Sequence, residues 1–254
     1  MIVVISPAKR LDWSQVSGKV TQPAFAAQAV ELAGVARGLR AAGLERLMKL
    51  SPQLARLNAE RFRDFAEAPA AEAVRPAAFA FAGDTFAGLE VRTLSEDALR
   101  WAGGHLRILS GLYGVLRPMD AIQPYRLEMG TRLQTGHGRD LYAFWGDRIA
   151  QALNTAGTEA GADWLLNCAS QEYFGAVDRT ALRLRVVTPV FLEDRPGGPK
   201  VISFFAKKAR GAMARFVMEH RLTDPADLAG FETGGYAHAP DLSEPDRPAF
   251  LRRA

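Results

Sequence analysis

The order in which helical and extended patterns follow one another constrains the fold of this 254-residue chain most. The chain opens with MIVVIS, a short apolar run rich in β-branched residues that ends at Pro7, and this run predicts a buried first strand. Helical spacing dominates the rest of the first half, and strand patterns dominate the third quarter. This separation favours an α+β fold, a single-domain mixed sheet with surrounding helices, over a regular βαβ series. The composition marks no linker, so we expect one domain over residues 1–254, with the tail from about 235 to 254 partly extended.

Capping residues and apolar periodicity predict the individual elements. Ser51 and Pro52 have the residue types of an N-cap and a first helical position, and Ser95 is followed by two acids that favour a helix start. Predicted helices cover 23–42, 44–50, 51–65, 95–103, 140–156 and 207–221. Predicted strands cover 77–83, 163–170, 182–192 and 200–206, and the turn EDRPGGP predicts that the last two strands form a hairpin.

Composition limits the function classes. No run approaches the ~18 apolar residues of a membrane span, and the basic Lys9 and Arg10 follow the first apolar run, whereas a signal peptide carries its basic residues first. We therefore expect a cytoplasmic protein. The single cysteine, Cys168, excludes an internal disulfide and fits a reducing compartment. The formal net charge of +4 permits an anionic partner without requiring one, and the four scattered histidines argue against a metal site.

The stretch LRILSGLYGVLRPMDAIQPYRLEMG, residues 106–130, places two glycines inside an apolar run and arginines directly after it. LSGLYGVL loosely fits the bend of a helix-hairpin-helix element, in which apolar residues anchor in the core and glycines let backbone N–H groups approach a phosphate. Arg107, Arg117 and Arg126 would add positive charge to such a site. The Gly-x-x-Gly spacing and Pro118 fit the element imperfectly, so a core strand with a tight turn is the alternative.

A second basic stretch, SFFAKKARGAMARFVMEHRL, covers residues 203–222. At a helical period one face is apolar, and the opposite face comprises Lys207, Lys208, Gly211 and Arg215. Only Glu219 interrupts the positive charge. Such a face suits a polyanion groove, because each neutralised phosphate releases counterions. The alternative is an ordinary solvated surface helix.

Two further stretches place polar groups at predicted strand ends. In ISPAKRLDW, Lys9 follows the first strand and could meet an anion or pair with Asp12. In LLNCASQEYF, Glu172 and Tyr173 could serve proton transfer, although capping of the strand end is the favoured interpretation. Cys168 lies inside the apolar run and is predicted to point into the core.

Taken together, these stretches resemble one family. ISPAKRLD, LSGLYGVLRPMD, PYRLEMG, LYAFWGD, NCASQEYF and SFFAKKARG occur in the order and with the spacing of the bacterial YaaA peroxide-stress family. The resemblance implies an unusual α+β fold with a helix-hairpin-helix-like element beside a basic cleft, binding of duplex DNA, bent or branched forms included, and a link to limiting free intracellular iron. It places the hairpin on Ser110–Gly114 and the cleft helix on Lys207, Lys208 and Arg210. It assigns no catalytic residue, metal or cofactor.

Three functions therefore compete. The leading hypothesis is a stress protein that binds double-stranded DNA without strong sequence preference. Its predicted DNA-binding residues are Lys9, Arg107, Ser110, Gly111, Tyr113, Gly114, Arg117, Arg126, Lys207, Lys208, Arg210 and Arg215. The alternative is an enzyme acting on a nucleotide or another phosphorylated small molecule, with Lys9, Arg126, Glu172, Tyr173 and Lys207 in one cleft. A deep pocket would favour the enzyme and an open groove would favour DNA, while iron binding rests on the resemblance alone.

Overall fold

A computed structural model describes residues 1–16 and 18–253 of the chain. The helices in this part are α1 Ala26–Gly38, α2 Arg40–Met48, α3 Pro52–Asp64, α4 Ala77–Ala80, α5 Asp84–Leu89, α6 Glu96–His105, α7 Leu141–Trp145, α8 Arg148–Ala160, α9 Gln171–Phe174 and α10 Ser203–His220. The strands are β1 Ile2–Ile5, β2 Arg75–Pro76, β3 Leu106–Ser110, β4 Gly114–Leu116, β5 Ala121–Ile122, β6 Trp164–Cys168, β7 Arg185–Val187, β8 Val190–Glu193, β9 Tyr236–His238 and β10 Ala249–Arg252. The predicted α+β class is confirmed.

The central sheet has the strand order β4-β3-β1-β6-β7. β1 pairs in parallel with β3 and with β6, β7 continues in parallel beside β6, and β4 runs antiparallel to β3. All four residues of β1 are fully buried, as expected for a strand covered on both faces. Ile5 is in register with Ile108 and with Cys168, so the carboxyl ends of β1 and β6 lie side by side. The chain builds the sheet on one side of β1 and then returns to its other side, so the strand order reverses between β1 and β6.

A smaller sheet, in the order β8-β10-β9, is built partly from the predicted tail. Phe250 on β10 is fully buried and stacks on Phe191 of β8, so the segment after residue 235 belongs to the core. The strand predicted over 182–192 is two strands, since the chain leaves the central sheet after β7 and enters the small sheet at β8. The strand predicted over 200–206 is wrong, because α10 begins at Ser203 and only a bridge between Glu193 and Lys200 remains of the hairpin.

The predicted helix starts are confirmed where a side chain caps them. The hydroxyl of Ser51 accepts a hydrogen bond from the N–H of Leu54 at 3.4 Å, and the hydroxyl of Ser95 accepts one from Ala98 at 3.1 Å. The strand predicted over 77–83 is wrong, because its alanines form the short helix α4 and α5 follows at once. Alanine loses little on entering a helix, which favours helix over strand in this alanine-rich segment. None of the described helices is long and apolar enough to cross a membrane.

The predicted helix-hairpin-helix bend at Ser110–Gly114 is wrong. β3 and β4 pair as an antiparallel hairpin, and all five residues of the bend are buried. A Cβ atom on Gly111 would lie 2.4 Å from the carbonyl oxygen of Leu127, and one on Gly114, whose φ is +67°, would lie 2.8 Å from the Trp145 ring. The glycines admit parts of the same chain rather than a phosphate. The alternative interpretation, a core strand with a tight turn, is confirmed.

Candidate functional site

A cavity of about 340 Å³ opens at the carboxyl ends of β1 and β6, where the strand order reverses. Open parallel sheets bind ligands in such a crevice. The lining comes from four segments: residues 6–10 after β1, residues 82–85 at the start of α5, four residues at the end of β6 and in α9 (Cys168, Ser170, Glu172 and Tyr173), and two residues of α10 (Lys207 and Arg210). We call this site the switch-point cavity.

Two serines join the strand ends that form the cavity. Ser6 follows β1 and Ser170 follows β6, so the parallel register brings both to the same edge. The backbone N–H of Ser170 donates to the Ser6 hydroxyl at 2.8 Å, and that hydroxyl donates to the Ser170 hydroxyl at 3.3 Å. These bonds fix the two loops relative to each other and leave the Ser170 O–H as a donor toward the cavity.

Positive charge predominates in the lining. The cations are Lys9, Arg10, Lys207 and Arg210, and the carboxylates are Asp84 and Glu172. Lys207 and Arg210 are three residues apart on α10, a spacing that puts both on one face of the helix. Neither forms an ion pair with any residue in the ranges 1–16 and 18–253. The cavity therefore attracts anions.

Glu172 and the neighbouring Glu128 already have partners within the protein. Glu172 accepts a hydrogen bond from the N–H of Gly130 at 3.0 Å, which fixes the carboxylate at the cavity wall. Glu128 accepts from Arg126 at 2.9 Å and pairs with Lys9 at 2.9 Å. The Lys9 side chain is 63% exposed, so water and salt weaken that pair and an anion in the cavity can compete for the ammonium group.

The placement of α10 is set by a close crossing with α5. A Cβ atom on Gly88 would lie 2.0 Å from the carbonyl oxygen of Lys208, and one on Gly211 would lie 1.7 Å from that of Thr85. The two helix backbones touch at these glycines. The crossing therefore fixes Lys207 and Arg210 relative to Asp84 and Thr85 on the opposite wall.

Cys168 ends β6 at the base of the cavity and is 1% exposed. Burial raises the pKa of its thiol to about 12, and the nearby Arg210 offsets only part of this shift. The thiol is protonated at neutral pH, and a protonated thiol is a poor nucleophile and a poor target for peroxide. The expectation that Cys168 packs in the core is confirmed. Burial also raises the pKa of Tyr173 well above its ordinary range, so its hydroxyl acts as a hydrogen-bonding group and not as a base.

The structure brings together part of each predicted residue set. Lys9, Lys207 and Arg210 line the switch-point cavity, and so do Glu172 and Tyr173. Arg126 reaches the same region through its bond to Glu128. Lys208 is exposed on α10 next to the cavity and does not line it.

The remaining predicted DNA-binding residues hold the protein together. Ser110, Gly111, Tyr113 and Gly114 lie in the buried hairpin. Arg107 is 7% exposed and donates to the carbonyl oxygens of Gly103 and Leu106, and burial lowers its pKa. A phosphate cannot reach these five residues at the surface of this fold.

Two more predicted cations are bound by local partners. Arg117 pairs with the buried Asp120 at 3.0 Å. Arg215 is 19% exposed, donates to the main chain at the end of α5 and pairs with Glu219 at 2.7 Å. The predicted basic face of α10 is therefore wrong at Gly211 and Arg215, because that side of the helix packs on α5.

Sequence reasoning missed Ser6, Arg10, Asp84 and Thr85, which also line the cavity. Ser6 and Arg10 lie in the same ISPAKR stretch as Lys9, directly after the first strand, and that position is a usable signal for all three. Asp84 and Thr85 had no such signal, because they directly follow the segment predicted as a strand over 77–83 and are in fact the first two residues of α5.

Comparison with known proteins identifies the family of this chain. A family model described as peroxide stress protein YaaA matches residues 1–242. The chain belongs to the YaaA peroxide-stress family. Similar curated proteins include a UPF0246 protein of Ruegeria pomeroyi, 61% identical over 252 residues that cover 99% of this chain and 98% of the relative. A UPF0246 protein of Roseobacter denitrificans is 62% identical over 254 residues, covering 99% and 98%, and one of Jannaschia sp. is 61% identical over 252 residues, covering 99% and 97%.

The match to the YaaA family includes every segment of the switch-point cavity, since all its lining residues lie before position 242. The family description concerns peroxide stress and names no ligand. What the cavity binds therefore has to be argued from its own chemistry.

Proposed function

We propose that this YaaA-family protein serves peroxide stress in the cytoplasm by binding a phosphorylated small molecule of the nucleotide class in the switch-point cavity. The observation that carries the proposal is the convergence of cations from two distant segments at the reversal of strand order. Lys9 and Arg10 come from the loop after β1, and Lys207 and Arg210 come from α10. A volume of about 340 Å³ is at the lower end of small-molecule sites, which run from roughly 300 to 1,000 Å³.

The donor set matches a phosphate group. Guanidinium and ammonium groups form charge-assisted hydrogen bonds to phosphate oxygens, and such bonds are about twice as strong as neutral ones. Ser6, Thr85 and Ser170 add hydroxyls to the lining of the same cavity. Asp84 and Glu172 repel a phosphate but accept hydrogen bonds from sugar hydroxyls, which favours a phosphorylated sugar over a bare phosphate.

The test is calorimetric titration with inorganic pyrophosphate, nucleoside triphosphates and unphosphorylated nucleosides. We expect phosphorylated compounds to bind and nucleosides to bind at least tenfold more weakly. Lys207→Gln should weaken binding about tenfold or more, because it removes a charge-assisted bond of roughly 1.5–3 kcal/mol. Lys208→Gln is the matched control: it neutralises the next residue of the same helix, does not touch the cavity, and should change affinity less than twofold. Equal effects of the two variants, or no binding at millimolar concentration, would refute the proposal.

Duplex DNA is a second candidate, favoured by the exposure of Lys9, Arg10, Lys207 and Lys208 at and beside the cavity mouth. In this version backbone phosphates meet these side chains, and the buried glycine bend takes no part. Affinity for duplex DNA should then fall steeply as salt rises. Lys207→Glu combined with Lys208→Glu should abolish most of the binding, with a four-way junction as competitor for shape preference. A double variant that binds duplex as tightly as wild type would exclude this face.

The same lysine pair separates the two candidates. A phosphate-binding cavity responds to Lys207→Gln alone, whereas a polyanion surface responds about equally to Lys207→Gln and Lys208→Gln.

We propose that the protein limits free iron indirectly, through the ligand that it binds. Residues 1–16 and 18–253 bring together no group of three His, Cys, Asp or Glu side chains suited to a metal ion. Anaerobic titration with ferrous iron tests this: a saturable site tighter than about micromolar would replace the indirect route with direct binding.

A further inference from the structure

A second cavity, of about 730 Å³, lies beside the switch-point cavity and is larger than it. It is bordered by the end of β6, by α9, by β8 and by α10, so it occupies the space between the two sheets. We call it the inter-sheet cavity. Arg210 lines both cavities, and Asn167, Phe174 and Phe191 line only the second. The two cavities therefore share one lining residue, Arg210.

The two cavities have different chemistry. The switch-point cavity is dominated by cations and hydroxyls. Apolar side chains contribute most of the lining of the inter-sheet cavity, among them Phe174, Val190, Phe191, Val201 and Ala206. Its three arginines are Arg210 at the junction, Arg179, and Arg247, which is paired with Glu244. Apolar walls suit a flat, weakly polar group, and aromatic side chains contribute beyond the area that they bury.

Polar groups of the inter-sheet cavity can read the edge of such a group. Asn167 is 7% exposed; its side-chain oxygen accepts from the N–H of Ala169 at 3.0 Å, and one amide hydrogen donates to Thr188 at 3.3 Å. The first of these bonds fixes which end of the amide is the nitrogen. An Asn amide carries two hydrogens, so the second remains available as a donor. Arg179 lies over the ring of Phe174 at 5.6 Å and adds an exposed cation at the rim.

We infer that the two cavities form one bipartite site for a nucleotide, with the phosphates in the switch-point cavity, the nucleobase in the inter-sheet cavity, and Arg210 at the junction. This inference rests on the proposed function and adds the base-binding half to it. A base in the inter-sheet cavity packs against Phe174 and Val190, and the buried Asn167 donates to an acceptor on its edge. Arg210 then contacts the phosphate nearest the sugar.

The experiment compares two probes, adenosine triphosphate and inorganic pyrophosphate, on variants of each half. Val201 is 55% exposed at the inter-sheet cavity, so Val201→Glu adds a charge there with little risk to folding. We expect Val201→Glu and Arg179→Gln to weaken the affinity for adenosine triphosphate at least fivefold and to change the affinity for pyrophosphate less than twofold. Lys207→Gln should weaken both probes. Arg183→Gln, an exposed residue that lines neither cavity, is the control.

The outcomes separate the two proposals. If the wild-type protein binds neither pyrophosphate nor adenosine triphosphate, the proposed function is refuted and this inference with it. Binding of both probes with no effect of Val201→Glu or Arg179→Gln refutes the bipartite site and leaves the phosphate cavity standing. Equal weakening of both probes by Val201→Glu also refutes it, because the phosphate half is then affected. Comparison of adenosine, guanosine, cytidine and uridine triphosphates tests the Asn167 contact: a base preference that Asn167→Asp alters supports it, and a preference unchanged by that variant contradicts it.

Discussion

Gly211 on α10 lies directly against the carbonyl oxygen of Thr85 on α5, so close that a Cβ atom on this glycine would be 1.7 Å from that oxygen. Thr85 and the cations of α10 line the same cavity. One backbone contact therefore links the packing of two helices to the spacing of the proposed phosphate-binding groups.

Gly211→Ala should destabilise the protein and disturb the site together. The added methyl group cannot fit, because the neighbouring atom is backbone and cannot rotate away. We expect a loss of at least about 2 kcal/mol in the free energy of unfolding, at the upper end of overpacking costs. Urea unfolding measures it. Gly34→Ala is the control: that glycine lies inside α1 with nothing within 4 Å of the added atom, so the change should be neutral or stabilising by up to about 1 kcal/mol.

Gly111→Ala and Gly114→Ala distinguish a packed hairpin from a phosphate-binding bend. Both glycines are buried, and the added Cβ atoms would collide with the Leu127 carbonyl and the Trp145 ring. Each variant should lower the free energy of unfolding by about 2 kcal/mol or more. Affinity for phosphorylated ligands, measured on the folded fraction, should stay within twofold of wild type. A stable variant with selectively weakened nucleic-acid binding would restore the helix-hairpin-helix interpretation.

We expect the buried Cys168 to lower the stability of the protein at high pH. We also expect its thiol to be unreactive in the folded protein at neutral pH. Burial raises the pKa of the folded thiol from 9.0 to about 12, so above pH 9.0 the unfolded chain loses its proton first and is favoured. Relative to Cys168→Ala, wild type should lose up to about 1.4 kcal/mol per pH unit between pH 9 and 11, read from urea unfolding curves. At pH 8 a disulfide reagent should label the thiol only at the rate of unfolding. Fast labelling of the folded protein, or parallel stability curves, would show that the thiol is accessible.

The sequence predicted local structure well where a side chain acts on its own neighbours. β1, the caps of α3 and α6, and the cations Lys9, Lys207 and Arg210 near strand or helix ends were all recognisable, because their roles depend on nearby positions. The glycine bend was misread because a glycine shows that something approaches closely and not what approaches. For Gly114 that partner is Trp145, 31 positions along the chain.

Charge in the sequence was a weaker guide, for a related physical reason. Arg107, Arg117 and Arg215 were predicted to meet phosphate, but all three are engaged by other groups of the protein. Arg107 is buried and donates to the carbonyl oxygen of Gly103, Arg117 pairs with Asp120 three positions along, and Arg215 donates to the distant main chain at the end of α5. A cation becomes available to a ligand when such partners are missing. The identity of the switch-point crevice likewise depends on the strand order, which residue patterns alone leave open.

We expect Glu193 to make the largest polar contribution to the stability of the small sheet. It is 4% exposed, accepts a hydrogen bond from the Tyr236 hydroxyl and pairs with Arg252 at 2.7 Å, so it joins β8 to both strands of the tail. Removal of the carboxylate leaves the Arg252 guanidinium without its anionic partner, beside the rings of Phe205 and Tyr236.

Glu193→Ala should therefore lower the free energy of unfolding by about 3 kcal/mol, the lower end of the cost of breaking a buried pair, because the Arg252 side chain is 28% exposed. Glu193→Gln should cost less because an acceptor oxygen remains. Glu244→Gln is the control, since Glu244 and Arg247 form an exposed pair for which we expect less than about 1 kcal/mol. Thermal unfolding of the three variants measures the order. Because β8 forms one wall of the inter-sheet cavity, Glu193→Ala should also weaken the affinity for adenosine triphosphate more than the affinity for pyrophosphate. Equal stability of Glu193→Ala and Glu244→Gln would mean that apolar packing around Phe250 stabilises the sheet without the contacts of Glu193 to Arg252 and Tyr236.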